Sequence, residues 1–66
     1  MINGKVKWFS GEKGFGFITA DKKDYFVHFR EIKTPGFKTL ENGSTVSFNA
    51  DKNGKGLVAT NVQIEL

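Results

Sequence analysis

The sequence predicts a small all-β fold, a five-stranded antiparallel barrel that closes, or nearly closes, on itself. Three observations carry this reading. Short runs rich in Val, Ile, Phe and Thr are punctuated by Gly11, Gly14, Gly16, Gly36, Gly43, Gly54 and Gly56, the pattern of strands and turns. No window repeats apolar residues every three to four positions, so no amphipathic helix is expected. The chain has only 66 residues, which fits one domain over residues 1–66, and closing so small a sheet removes its exposed edges.

The first strand is expected over about Gly4–Phe9 and the second over Gly14–Ala20. Asp21-Lys22-Lys23-Asp24 reads as the turn to a third strand, Tyr25–Phe29. Residues 30–44 form the longest connection, with one helical turn at Arg30-Glu31-Ile32 before Thr34-Pro35-Gly36. Loops of this length in compact domains are often functional. The fourth strand is expected over Thr45–Ala50 and the fifth over Leu57–Ile64, joined by a hairpin whose turn signal is Asn53-Gly54.

Side chains alternate faces along a strand. In the third strand Tyr25, Val27 and Phe29 share one face, and Phe26 and His28 the other. His28 marks the wet face and takes Phe26 with it. If Ile18 packs beside Val27, then Phe15 and Phe17 also point outward. A barrel this narrow takes side chains of modest volume. Val6, Ile18, Val27, Ile32, Val46, Phe48, Ala59 and Val62 fill it, whereas seven Phe and a Trp would overfill it. The alternative, with Phe15, Phe17 and Phe26 inside, leaves His28 awkwardly placed. Trp8 breaks the pattern, since strict alternation puts it with Val6. A bulge or bend in the first strand is needed to turn it out.

An exposed aromatic cluster calls for a function. Lys5 and Lys7 flank it on the first strand, Lys13 precedes the Gly-Phe-Gly-Phe run, Arg30 follows Phe29 and Lys38 follows Phe37. Aromatic platforms flanked by cations hold single-stranded nucleic acid, the bases stacking on the rings and the cations drawing in phosphates. The net charge of +3 agrees with a polyanionic partner.

The composition narrows the alternatives. With no Cys and one His, there is no disulfide framework, thiolate metal site or Cys nucleophile, and a lone His is a poor metal ligand or general base. Neither metal nor cofactor is expected. Gly14-x-Gly16 lacks a third Gly and lies in a strand, so it is not a phosphate loop. Glu12, Asp21 and Asp24 are expected in loops without a cleft, so no catalytic residue is assigned. No apolar run approaches ~18 residues, and no signal peptide is visible. A monomer in the cytoplasm, with no membrane partner, is expected. The competing readings are a barrel whose rings bind a peptide or the ribosome, and self-association through the same patch. The surrounding basic residues argue against a Pro-rich ligand.

The residues that carry this argument also carry a resemblance. Lys13-Gly14-Phe15-Gly16-Phe17-Ile18 and Tyr25-Phe26-Val27-His28-Phe29 resemble the two ribonucleoprotein motifs of cold-shock domains. Gly4-Lys5-Val6-Lys7-Trp8-Phe9, Gly36-Phe37-Lys38-Thr39-Leu40 and Ala59-Thr60-Asn61-Val62 resemble the family's opening strand, long loop and closing strand. The resemblance implies an OB-type barrel that binds single-stranded RNA and DNA, with a preference for pyrimidine-rich stretches. The roles it implies are nucleic-acid chaperone, transcription antiterminator and helper of translation under cold or other stress. Carried over by position, Trp8, Phe15, Phe17, Phe26, His28, Phe29 and Phe37 are stacking residues, with Phe9 at the rim. Lys7, Lys13, Asp24 and Lys38 match positions that make polar contacts, Asp24 by accepting from a base edge. Arg30 replaces a small residue and adds a phosphate contact at the platform edge. Leu57-Val58 replaces the family's usual Pro-Gln, which puts the contacts from that strand in question.

Overall fold

β-Branched and aromatic residues in alternation build five strands: β1 (Ile2–Ser10), β2 (Phe15–Ala20), β3 (Lys23–His28), β4 (Thr45–Asn53) and β5 (Gly56–Ile64). The computed structural model describes residues 1–33, 40–54 and 56–65. The strands close into a barrel in the order β1-β2-β3-β5-β4. A 3-10 turn, Phe29–Glu31, follows β3. The all-β barrel is therefore as expected, with one correction to its description as antiparallel. The ladder that closes it, β3 to β5 at Phe26↔Val58, is parallel, and Ile32↔Val62 continues in the same sense. A parallel pair cannot be joined by a tight hairpin, and here the connection is all of β4 with its flanking loops.

All eight expected core residues are at most 2% exposed. Ala20, Tyr25 and Leu40 join them. The Tyr25 ring packs on Phe48 with centroids 5.0 Å apart. These two rings are the only aromatic ones that the described core takes in whole.

The β1–β2 ladder steps from Val6↔Ile18 to Trp8↔Phe17. Lys7 is thus an extra residue in β1, the bulge that strict alternation required. β1 and β2 approach so closely there that Gly16 has no room for a side chain. A Cβ would overlap the Trp8 carbonyl oxygen and come within 2.6 Å of the Phe9 Cα.

Local boundaries depart from the sequence reading in three places. The β2–β3 ladder runs to Ala20↔Lys23, so the turn is only Asp21-Lys22, with φ of 52° and 63°, the left-handed pair of a type I′ hairpin. Asp24 consequently lies on a strand. β3 ends at His28, and Phe29 belongs to the 3-10 turn. The β4–β5 ladder continues to Asn53↔Gly56, so Asn53 is a strand residue and the hairpin turns one position later than Asn53-Gly54 signals. The loop around Thr34-Pro35-Gly36 lies outside the described residues.

Two stability outcomes follow. Lys22 pays a steric cost for its positive φ that glycine escapes, so Lys22→Gly is expected to raise unfolding free energy by about 0.5–1 kcal/mol. Gly16→Ala is expected to lower it by about 1–3 kcal/mol through overpacking against backbone. Urea denaturation of each variant measures both.

Candidate nucleic-acid interface

The bulge at Lys7 decides how the site is assembled. Beyond it Trp8 faces outward and is 36% exposed. The cross-strand pairs Phe17↔Phe26 and Phe15↔His28 put four more rings on the same outer face. Trp8 lies 5.6 Å from Phe17 and 6.0 Å from Phe15, centroid to centroid. Phe26 lies 5.7 Å from both Phe15 and Phe17. The rings meet edge-on or tilted, the favoured packing of aromatic quadrupoles, and Phe15, Phe17 and Phe26 are each partly exposed.

The 3-10 turn extends the row. The Arg30 backbone N–H donates to His28 Nδ1 at 3.2 Å, and the Phe29 ring sits 4.6 Å from the imidazole. Phe29 is 41% exposed. Its N–H donates to the Gly14 carbonyl at 2.9 Å, and its ring lies over Gly14, where a Cβ would meet Cδ1 at 3.0 Å. Gly14 also has φ +79°, so the position suits glycine in both conformation and space. Phe9 differs from the others. It is partly buried against the core, and its N–H donates to Asn42 Oδ1 at 3.2 Å.

The polar residues divide into two sets. Lys13 and Arg30 are exposed and have no ion-pair partner among the described residues. Lys7 is engaged, its Nζ lying 3.0 Å from Asp24 Oδ2. Thr19 Oγ1 donates to Asp24 Oδ1, also at 3.0 Å. These bonds, the Lys7 one foremost, hold the Asp24 carboxyl below its ordinary value. Each Asp24 oxygen thus already accepts one bond. A carboxylate has about four acceptor positions, so capacity remains for a base edge. Phe37 and Lys38 lie outside the described residues.

Two recesses flank Phe26. The larger, about 750 Å³, is lined by Phe17, Asp24, Phe26, Leu57 and Val58 and by the β4–β5 hairpin at Asn53 and Gly54. The smaller, about 190 Å³, is lined by Phe26, Val58, Ala59 and Thr60 together with His28, Glu31 and Asn53. Sequence reasoning missed Asn53, Gly54, Glu31 and Thr60 as neighbours of this face. Leu57-Val58 stood out only as a departure from a family pattern. No local signal reports the parallel β3–β5 contact that brings β5 here. Among the described residues no group of three or more His, Cys, Asp or Glu residues could hold a metal ion, and no helix is long and apolar enough to cross a membrane.

Comparison with known proteins agrees on one family. Residues 2–65 match the model of the 'cold-shock' DNA-binding domain. Cold shock protein 2 of Lactiplantibacillus plantarum is 55% identical over 64 residues, covering 96% of this chain and 97% of its own. Cold shock-like protein CspG of Shewanella violacea is 59% identical over 61 residues, covering 89% and 87%. The cold shock protein of Arthrobacter globiformis is 52% identical over 66 residues, covering 97% and 98%.

The Asp24 bonds give a testable pH dependence. A carboxyl whose folded pKa is lowered stabilises the fold above its unfolded value, about 3.9, and loses that contribution as pH falls through the folded value. Asp24→Asn should therefore be less stable than the parent at pH 6, and the gap should close below about pH 4. Urea midpoints between pH 3 and pH 7 test this. A gap that stays constant with pH would remove the ion pair as its cause.

Proposed function

The chain belongs to the 'cold-shock' DNA-binding domain family, and from that premise we propose that its aromatic face binds single-stranded RNA and DNA by base stacking. The family is nucleic-acid-binding and non-enzymatic. The observation that carries the finer reading is the unbroken ring surface of Trp8, Phe17, Phe26 and Phe15, with successive centroids 5.6–5.7 Å apart. Bases in a duplex have their faces covered by neighbours, whereas unpaired bases offer both to such rings.

In this reading Trp8, Phe15, Phe17, Phe26, His28, Phe29 and Phe37 stack, and Phe9 borders them. Lys7, Lys13, Arg30 and Lys38 draw in the phosphates. Asp24 accepts from a base edge, a thymine or uracil N3–H or the cytosine amino group, which supports a preference for pyrimidine-rich strands. The whole of residues 1–66 acts as one cold-shock domain, as a monomer in the cytoplasm.

The cellular role follows from linkage. A protein that binds only the open strand shifts a hairpin toward opening by RT ln(1 + [protein]/Kd). Weak hairpins melt and rigid ones persist. That is the action of an RNA chaperone, and the same melting at a terminator or a ribosome-binding segment makes an antiterminator or a translation regulator. Cold strengthens base pairing, so the need is greatest in the cold-shock and general stress response.

Fluorescence of Trp8, the chain's one Trp, tests the proposal. Oligo-dT is expected to quench it and a duplex of equal length is not. Phe17→Ala or Phe26→Ala should weaken oligo-dT binding by about 1–3 kcal/mol while the variants keep a cooperative melt. The log–log salt dependence should fall by about 0.7 per phosphate neutralised. A slope of zero would overturn the role given to the cations, and quenching by duplex as strong as by oligo-dT would overturn the stacking model.

A further inference from the structure

The smaller recess beside Phe26 is lined by a carboxylate, Glu31, to which the stacking mode gives no role. We infer that it is a guanine-reading subsite, in which the Glu31 carboxylate accepts from the guanine Watson–Crick edge. This rests on the reading that the aromatic face binds single strands, and extends it to one position along the strand.

Four observations carry the assignment. The recess has about 190 Å³, room for one heterocycle, and the Phe26 ring forms one side of it. Glu31 lines it with one oxygen uncommitted. Oε1 accepts a long 3.4 Å bond from the Asn61 N–H, and nothing among the described residues donates to Oε2. His28 lines it too, and its Nδ1 already accepts from the Arg30 N–H, which leaves the proton of the neutral ring on Nε2. The Thr60 hydroxyl, also lining it, is turned to the Asn49 carbonyl at 3.2 Å, so it does not compete for the base.

The recess therefore offers a carboxylate acceptor and an imidazole donor beside a stacking ring. Guanine has the complementary edge, with N1–H and N2–H side by side and O6 next to them. The carboxylate takes both N–H groups, a charge-assisted pair, and the imidazole takes O6. Thymine and uracil place a carbonyl on each side of their one N–H, and these repel a carboxylate. Cytosine and adenine present a single amino group beside a ring-nitrogen acceptor. The position of Glu31 is set by the fold, since the 3-10 turn that carries it is tied to β5 through Ile32↔Val62 and the Lys33 N–H to the Val62 carbonyl at 2.8 Å.

The test is a scan. Heptathymidine is compared with seven oligonucleotides that each carry one guanine, and with the inosine version of the best. One position is expected to bind about five- to tenfold tighter with guanine than with thymine, the lower end of what a bidentate pair gives. Inosine, which lacks the N2 amino group, should fall between. In Glu31→Ala the guanine-to-thymine ratio should drop to about 1. Glu31→Gln, which keeps one acceptor and no charge, should fall between and serves as the second variant if Glu31→Ala melts early. A parent protein that binds heptathymidine but prefers guanine nowhere overturns the subsite and leaves the proposed function standing. A preference that survives in both variants also overturns it. Failure to bind heptathymidine at all overturns the proposed function, and the subsite with it.

Discussion

A five-stranded barrel has a narrow interior, and that limit organises the rest of the molecule. Aliphatic side chains with Tyr25 and Phe48 fill the described core, so the other rings must go elsewhere. Because side chains alternate along a strand, fixing Ile18 and Val27 inside forces Phe15, Phe17, Phe26 and His28 out together. The core and the site are thus two consequences of one packing constraint. A one-residue slip in β2 or β3 would exchange them, bringing in rings for which there is no room and exposing Ile18 and Val27.

The bulge at Lys7 turns this pairwise platform into a continuous one. Without it, Trp8 would share the inner face with Val6. The extra residue reverses the parity of β1 midway, so Val6 is buried and Trp8 lies beside Phe17. Gly16 permits the close contact with the β1 backbone at that point. Lys7 itself is carried to the face where its ammonium reaches Asp24. One backbone irregularity therefore supplies both the terminal ring and the cation next to it, an instance of a bulge re-aiming side chains at the outer face.

What could be read from the sequence was what depends on strand period and residue volume. The eight core residues, the outward Phe15, Phe17, Phe26 and His28, and the need for a bulge before Trp8 all follow from alternation plus a limit on interior space. What could not be read depends on contacts between distant segments. The parallel β3–β5 closure has no local signature, so only the departure from the family pattern drew attention to Leu57 and Val58, and nothing in the residues placed them beside Phe26. Leu40 is buried although it comes from a connection where parity has nothing to say. Asp24 was placed in a loop because Asp21-Lys22-Lys23-Asp24 has turn composition throughout, yet two left-handed residues suffice for the hairpin. Phe29 continued the alternation on paper, but the 3-10 turn takes it out of the strand and exposes it. Phe37, on which parity says nothing, and Lys38 beside it lie outside the described residues.

The same architecture suits the proposed binding of a single strand on an open face. Its rings sit on adjacent, hydrogen-bonded strands and brace one another in edge-on or tilted contacts, so they would lose little further freedom on stacking with a base. Preorganisation of this kind reduces the ordering cost that binding must overcome. Charge contributes less and differently. Lys7 is already paired with Asp24, and that exposed pair is worth little in water, so an arriving phosphate can compete for the ammonium at small cost. Lys13 and Arg30 stand exposed at the edges of the platform. In the proposed mode, stacking would provide grip that is indifferent to sequence and resistant to salt, while the cations would provide attraction that salt screens. In the proposed reading, selectivity then rests with the few fixed polar groups that border the rings, among them Asp24 and Glu31 in the linings of the two recesses beside Phe26.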